Sequence, residues 1–334
     1  MSTRKPLSAG PVGLGLMGMT WRTNQTPDEQ AFAAMKAAVN NGATFWSGAD
    51  FYGTADPTAN ISLIRRYFEK YPEDASKVTL SIKGCADPKT LHPTGSRAAT
   101  RASVENILRI LGGVKEIDIF GPSRTDPNVA TEETFAELKA LVGEGKIKGV
   151  GLSEVGPETI KRAHAIIPLS AVEVEFSLWS TEILTNGVAA TCKSLDIPIV
   201  AYSPLGRGFL TGQLKKLSDV PAGDVRLFMD RFQPEASHYF GKNLELVDKL
   251  NAFAERKGVT AARLGLAWIL SYSNTAECGT IVPIPGATTA QRVEENTKIT
   301  ELSAEEKAKL EAILKSVKIT GGRYNQYLES TLWG

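Results

Sequence analysis

A single parallel (β/α)8 barrel, the TIM-barrel class of α/β fold, is predicted for this chain on three observations. Short apolar runs alternate with longer amphipathic stretches, the alternation repeats about eight times, and no composition break divides the 334 residues. One barrel commonly uses roughly 200 to 400 residues, so one domain over 1–334 is expected, with 318–334 as a C-terminal tail. Long loops are expected at the carboxyl-terminal face of the barrel, and a doubly wound open sheet is the second reading.

The elements follow in order. The glycine-punctuated apolar run 10–16 is the first strand, and the alanine-rich amphipathic stretch 28–40 the first helix. Strand 43–46 precedes helix 61–71, strand 78–83 precedes helix 97–111, and strand 117–120 precedes helix 132–143. Strand 148–152 leads to helix 157–166, and the apolar run 171–176 to a helix over 182–195. Strand 198–202 is followed by the long connection 206–242 and helix 243–257; strand 280–284 and helix 288–299 close the series. Chemistry in such barrels sits on loops at the carboxyl ends of the strands.

Composition excludes several functions. Lysine and arginine (38) balance aspartate and glutamate (37), leaving no positive surplus for counterion release on a polyanion, so no nucleic-acid partner is expected. Three separated cysteines, Cys85, Cys192 and Cys278, form neither a disulfide framework nor a zinc knuckle. Residues 1–11 lack the features of a secretion signal and no run approaches about 18 apolar residues, so a cytoplasmic protein with no membrane partner is expected. His92, His164 and His238 lie far apart in sequence and offer no metal spacing.

Two motifs are set aside. Gly13 to Gly18 spell a dinucleotide fingerprint, but that motif needs its last glycine to open a helix, whereas the next helix is expected about ten residues later. Gly151 to Val155 lacks the closing glycine of a nucleophile elbow. More informative is Ser47-Gly48-Ala49-Asp50-Phe51-Tyr52-Gly53 directly after the second strand, where Tyr52 at a strand end beside a glycine is placed to hand over a proton.

The order of motifs resembles the aldo-keto reductases from about residue 10 to 317. GADFYG is followed by SIKG around Lys83, DIFGPSRTDP from Asp118, GVGLSEV from Gly149, AVEVEFSLW from Ala171, AYSPLGRGFLTG from Ala201 and PIPGATTAQRVEEN from Pro283. Among that family the phrasing is most similar to the fungal pyridoxal reductases. The resemblance implies reduction of an aldehyde or ketone by NADPH, with Tyr52 protonating the developing alkoxide and Lys83 as the adjacent cation. Pyridoxal is the leading substrate, other small or aromatic carbonyls the alternative, and a weakly catalytic NADPH-binding redox sensor a further one.

Two members of the family's usual tetrad are absent: Ser47 stands where an aspartate pairs with the lysine, and Ser123 where a histidine hydrogen-bonds the carbonyl oxygen. Lys83 is therefore expected to lack its counterion, becoming less basic if buried or acidifying Tyr52 if it stays charged, with Asp50 a displaced partner. A substrate with a hydroxyl beside its aldehyde, as in pyridoxal, would supply part of the missing hydrogen bonding. For the cofactor, Ser153, Glu154 and Glu173 are expected around the nicotinamide carboxamide, and Tyr202 beneath the ring. The 203–212 loop, with Ser203, Leu205, Gly206, Arg207 and Gly208, is expected over the pyrophosphate. Gly286, Thr288, Arg292, Glu295 and Asn296 are expected at the 2′-phosphate end. Trp21 and Phe51 are candidate substrate walls; oligomeric state is not readable.

Overall fold

The computed structural model describes residues 10–221, 224–232 and 237–334. Its strands are β1 (Leu14–Gly15), β2 (Phe45–Ala49), β3 (Thr79–Gly84), β4 (Ile117–Pro122), β5 (Ile147–Ser153), β6 (Leu169–Glu175), β7 (Ile199–Tyr202) and β8 (Ile281–Pro283). They pair in parallel in sequence order, β1 to β8. The barrel closes where the Gly13 and Gly15 amides donate to the carbonyls of Pro283 and Pro285, at 2.9 and 3.2 Å.

Close approach of neighbouring strands explains two of the three glycines of the apparent dinucleotide fingerprint, whereas a Cβ on Gly18 would meet nothing within 4 Å. A Cβ on Gly13 would lie 2.5 Å from the Phe45 carbonyl oxygen, and one on Gly15 2.8 Å from that of Ile284. Backbone approach at the closure requires them, and the helix that follows at Met17–Thr20 is a single turn rather than a phosphate-binding helix.

The helices are α1 (Met17–Thr20), α2 (Asp28–Asn40), α3 (Ala59–Lys70), α4 (Arg97–Leu111), α5 (Thr131–Gly143), α6 (Pro157–Ile166), α7 (Val188–Ser194), α8 (Ser237–Lys257), α9 (Ala261–Leu270), α10 (Ala290–Thr297), α11 (Ala304–Ser316) and α12 (Gln326–Glu329). Most of the longer ones bury an apolar stripe, as α2 does with Ala31, Phe32, Ala34, Met35 and Ala38. The helix expected over 182–195 is a 3-10 turn, Glu182–Leu184, and then α7, because Gly187 between them has φ 87°. The sequence pattern missed α9 and α11 for opposite reasons. In α9 (AARLGLAWIL) nearly every position is apolar, whereas α11 buries Leu310 alone, so neither carries a clear one-sided stripe.

Among the described residues no helix is long and apolar enough to cross a membrane, and no cluster of histidine, cysteine and acidic side chains can hold a metal ion. The three cysteines are buried and free. Exposed His92 lies 4.7 Å from the Tyr327 ring. The segment 318–334 folds back onto the barrel, burying Arg323, Tyr324 and Leu332.

Candidate active site

Side chains along a strand alternate between its two faces, so every second residue points to the barrel axis. Phe45, Ile119, Ala171, Val200, Val282 and Ile284 form one interior apolar cluster, with Tyr202 packed against it. Two residues further along β2 and β6 come Ser47 and Glu173, and the side chain of Lys83, which is in register with Ala49 near the end of β3, reaches both. Polar groups thus sit directly above an apolar floor, at the carboxyl end of the barrel.

These three side chains form a closed ring. The Lys83 ammonium donates to Glu173 Oε1 at 2.7 Å and to Ser47 Oγ at 2.7 Å, and Ser47 Oγ donates to Glu173 Oε2 at 2.8 Å. Lys83 and Glu173 are about nine-tenths buried, at 10% and 9% side-chain exposure, which makes an unpaired charge on either costly. The expectation that Lys83 lacks a counterion is therefore overturned: the carboxylate comes from β6. Burial alone would push Lys83 toward neutrality, but the charges and hydrogen bonds of Glu173 and Tyr52 together outweigh it, and the lysine is more basic than usual, not less.

Asp50 is not the displaced partner. Its backbone amide donates to the Lys83 carbonyl, while its carboxylate turns to Ser103 Oγ (2.6 Å) and leaves Oδ1 buried without a partner. Burial raises its pKa from 3.8 to about 6. A carboxyl with a raised folded-state pKa binds protons more tightly when folded, so its ionisation lowers stability as pH rises from about 4 to 6, and the penalty persists above. Asp50→Asn is accordingly expected to come close to the parent protein near pH 4 and to exceed it by about 3 kcal/mol at pH 7. Denaturant titrations at the two pH values check this; an equal difference at both would exclude it.

Tyr52 lies beside this ring, with the Lys83 ammonium 5.5 Å from the centroid of its ring. Trp21 stacks on Tyr52 at 5.2 Å and Phe51 meets it edge-on at 5.1 Å, so both proposed walls border the tyrosine. Burial raises the phenol's pKa; Lys83 lowers it and Glu173 raises it again. The expectation of an acidified Tyr52 is thus corrected: the phenol stays protonated well past neutrality. Ser123 is buried just beyond β4, its amide donating to the Gly84 carbonyl.

The expected cofactor residues divide into two groups. Gly206, Arg207 and Gly208 form a left-handed run with φ of 56, 56 and 89°, in which the Gly206 and Gly208 amides donate to the carbonyls of Ser203 and Leu205 at 2.9 and 3.1 Å. Ser203 is also left-handed, at φ 47°. The Arg207 guanidinium, however, turns to Glu175 (3.2 Å), Ser203 Oγ (3.3 Å) and Met229, rather than standing free for a phosphate. At the far end α10 is capped by Thr289, with Arg292 exposed on its first turn, Glu295 half-buried and Asn296 buried. Gly286 bridges to Gly15, and the Thr288 carbonyl accepts from Gln30.

At the barrel mouth the C-terminal segment occupies the second group. Arg323 forks onto the Glu154 carboxylate at 2.8 and 3.1 Å, and Glu154 also accepts from the Glu175 amide at 2.8 Å. Burial pushes the Glu154 carboxyl up, but Arg323 outweighs it and holds its pKa below the usual range. The hydroxyls of Tyr202 and Tyr324 are hydrogen-bonded at 2.7 Å, and the Arg207 guanidinium lies 4.7 Å from the Tyr324 ring. Ser153, at the end of β5, is buried and in register with Glu173. Ser153, Glu154, Glu173 and Tyr202 are thus gathered at one end, but the two carboxylates are already engaged.

Sequence reasoning missed Glu175, Arg323 and Tyr324. For Glu175 a signal existed: the alternation Glu173-Val174-Glu175 aims two carboxylates at the barrel axis. Arg323 and Tyr324 carry no local pattern that places them across the barrel.

A closed eight-stranded barrel with buried ionisable groups at the carboxyl ends of β2, β3 and β6 defines a barrel enzyme. The chain belongs to the aldo/keto reductase family, whose profile matches residues 11–315, and it is an oxidoreductase. It is 44% identical over 97% of both chains to a probable pyridoxal reductase 2 of Schizosaccharomyces pombe. It is 37% identical to a putative pyridoxal reductase of Saccharomyces cerevisiae, covering 94% of this chain and 95% of that one. Its fold is similar to that of a glycerol dehydrogenase from Gluconobacter oxydans (TM-score 0.78, 23% identity, 94% of both chains). It is also similar to an aldo-keto reductase from Klebsiella pneumoniae in complex with NADPH (TM-score 0.70, 21% identity, 95% of both chains).

Proposed function

We propose that this chain reduces pyridoxal to pyridoxine with NADPH, and that Tyr52 is the proton donor. The observation that carries the substrate is the 44% identity, over nearly the whole length, to a relative described as a probable pyridoxal reductase. NADPH, when bound, supplies the hydride. The 203–212 loop, whose glycines let the backbone approach a ligand closely, is assigned to the pyrophosphate, and Arg292 beside the capped start of α10 suits a 2′-phosphate. Tyr202, with Ser153, is assigned to the nicotinamide end.

The protein's own groups then handle the proton. A phenol held protonated by its buried setting can give up its proton only as negative charge builds on the substrate oxygen, and Lys83 stabilises the phenolate left behind. Ser123 takes the position of a donor to the carbonyl oxygen. With one hydroxyl donor there instead of an imidazole, a carbonyl already hydrogen-bonded within the substrate is favoured. Pyridoxal carries a hydroxyl beside its aldehyde. Its kcat/KM is expected to exceed that of an analogue lacking this hydroxyl by about tenfold or more, a difference of about 1.4 kcal/mol in transition-state binding. Equal values in a steady-state assay of NADPH oxidation would remove the substrate hydroxyl from the account.

A redox-sensor reading drew its support from the missing aspartate and histidine. Glu173 supplies a carboxylate against Lys83, so half of that support is gone.

A further inference from the structure

The ring of Ser47, Lys83 and Glu173 holds one lysine, one hydroxyl and one carboxylate, all buried. Glu173 Oε1 accepts a hydrogen bond from Lys83 and Oε2 accepts one from Ser47, whose oxygen in turn accepts from Lys83. Each partner satisfies the other two. Ser47 and Glu173 are 126 positions apart in sequence, yet their strands bring them within hydrogen-bond distance of each other and of the lysine.

We infer that Glu173 is the counterion of the catalytic lysine, a positioning residue that does from β6 what a carboxylate at position 47 would do from β2. The pair is matched. A carboxylate at 47 facing Glu173 would place two negative charges around one cation, whereas serine bridges them without adding charge. A glutamine at 173 beside Ser47 would leave Lys83 buried with no partner of opposite charge among the described residues. One negative charge is needed in this layer, and either strand can carry it.

This differs from holding the nicotinamide carboxamide, and it rests on the reductase reading only through the role given to Lys83 and Tyr52. The ionisable groups facing Lys83 are Glu173 and Tyr52; those facing Tyr52 are Lys83, Glu173 and Tyr324. With a neutral glutamine in place of Glu173, burial of Lys83 is opposed by Tyr52 alone, so the cation is lost at lower pH. The alkaline limb of the kcat profile then moves downward.

Four proteins test the inference: wild type, Glu173→Gln, Ser47→Asp and Ser47→Asp/Glu173→Gln. Each is melted without cofactor, titrated with NADPH and NADP+, and assayed for pyridoxal reduction across pH. Glu173→Gln is expected to lower kcat about a hundredfold, to shift its alkaline limb down and to melt several degrees earlier. Ser47→Asp/Glu173→Gln is expected to recover most of all three losses. The inference is overturned if Glu173→Gln changes only the ratio of NADP+ to NADPH dissociation constants, or if the double variant stays as impaired as the single one. A wild type that does not turn over pyridoxal would sink the reductase reading instead, while recovery or non-recovery of the melting temperature still decides whether the two positions share one charge.

Discussion

Replacement of Tyr52 by phenylalanine is expected to lower kcat for pyridoxal about a thousandfold while leaving melting temperature and NADPH affinity nearly unchanged. A positioned general acid contributes roughly a factor of 10² to 10⁴, so a thousandfold, about 4 kcal/mol, is a central value. The structural cost is small because the ring makes the contacts with Trp21 and Phe51, Thr20 bonds the backbone carbonyl of residue 52, and the hydroxyl's partner Lys83 keeps Glu173 and Ser47. The substitution thus removes the proton and little else. Turnover within about fivefold of wild type would mean that water or another side chain protonates the alkoxide. Loss of NADPH affinity together with turnover would instead give the hydroxyl a part in cofactor binding.

The second large effect concerns stability. Arg323 and Glu154 form a two-pronged ion pair at 3% and 0% side-chain exposure, far from each other in sequence and tying the C-terminal segment to the end of β5. Arg323→Ala leaves a buried carboxylate whose remaining donor is the Glu175 amide. Removing one partner of such a pair typically costs about 3–5 kcal/mol, because the other charge stays desolvated. The same change at Arg162, whose pairing with Glu132 is half exposed on both sides, is expected to cost less than about 1 kcal/mol. Chemical denaturation of both variants checks the contrast; equal losses would show that the buried pair adds nothing beyond a surface one. Arg323→Ala also unties the segment whose Tyr324 bonds Tyr202, so its NADPH affinity reports whether that contact competes with the cofactor.

What the chain discloses in its sequence follows from how far apart the cooperating residues are. The helices over 28–40, 97–111 and 157–166 are legible to the residue because apolar periodicity and turn residues act over one or two turns. Tyr52 and Lys83 are legible because each sits at a strand end with a recognisable neighbourhood. The counterion is not, since Ser47 and Glu173 meet only once the strands close into a barrel. Read in one dimension, Ser47 is a loss and Glu173 an oddity; in the folded layer they are a single substitution of one charge carrier for another. The same holds for Arg323, which is an ordinary tail residue until the chain brings it back to Glu154.

Most direct for the central claim is a balanced product measurement. Purified protein is mixed with pyridoxal and NADPH, the fall in NADPH is followed by absorbance, and the vitamin product is quantified by chromatography in wild type and Tyr52→Phe. One pyridoxine formed for each NADPH consumed, at a rate that collapses in the variant, is the predicted result. NADPH consumption without pyridoxine, or pyridoxine formed equally fast without the Tyr52 hydroxyl, would contradict it.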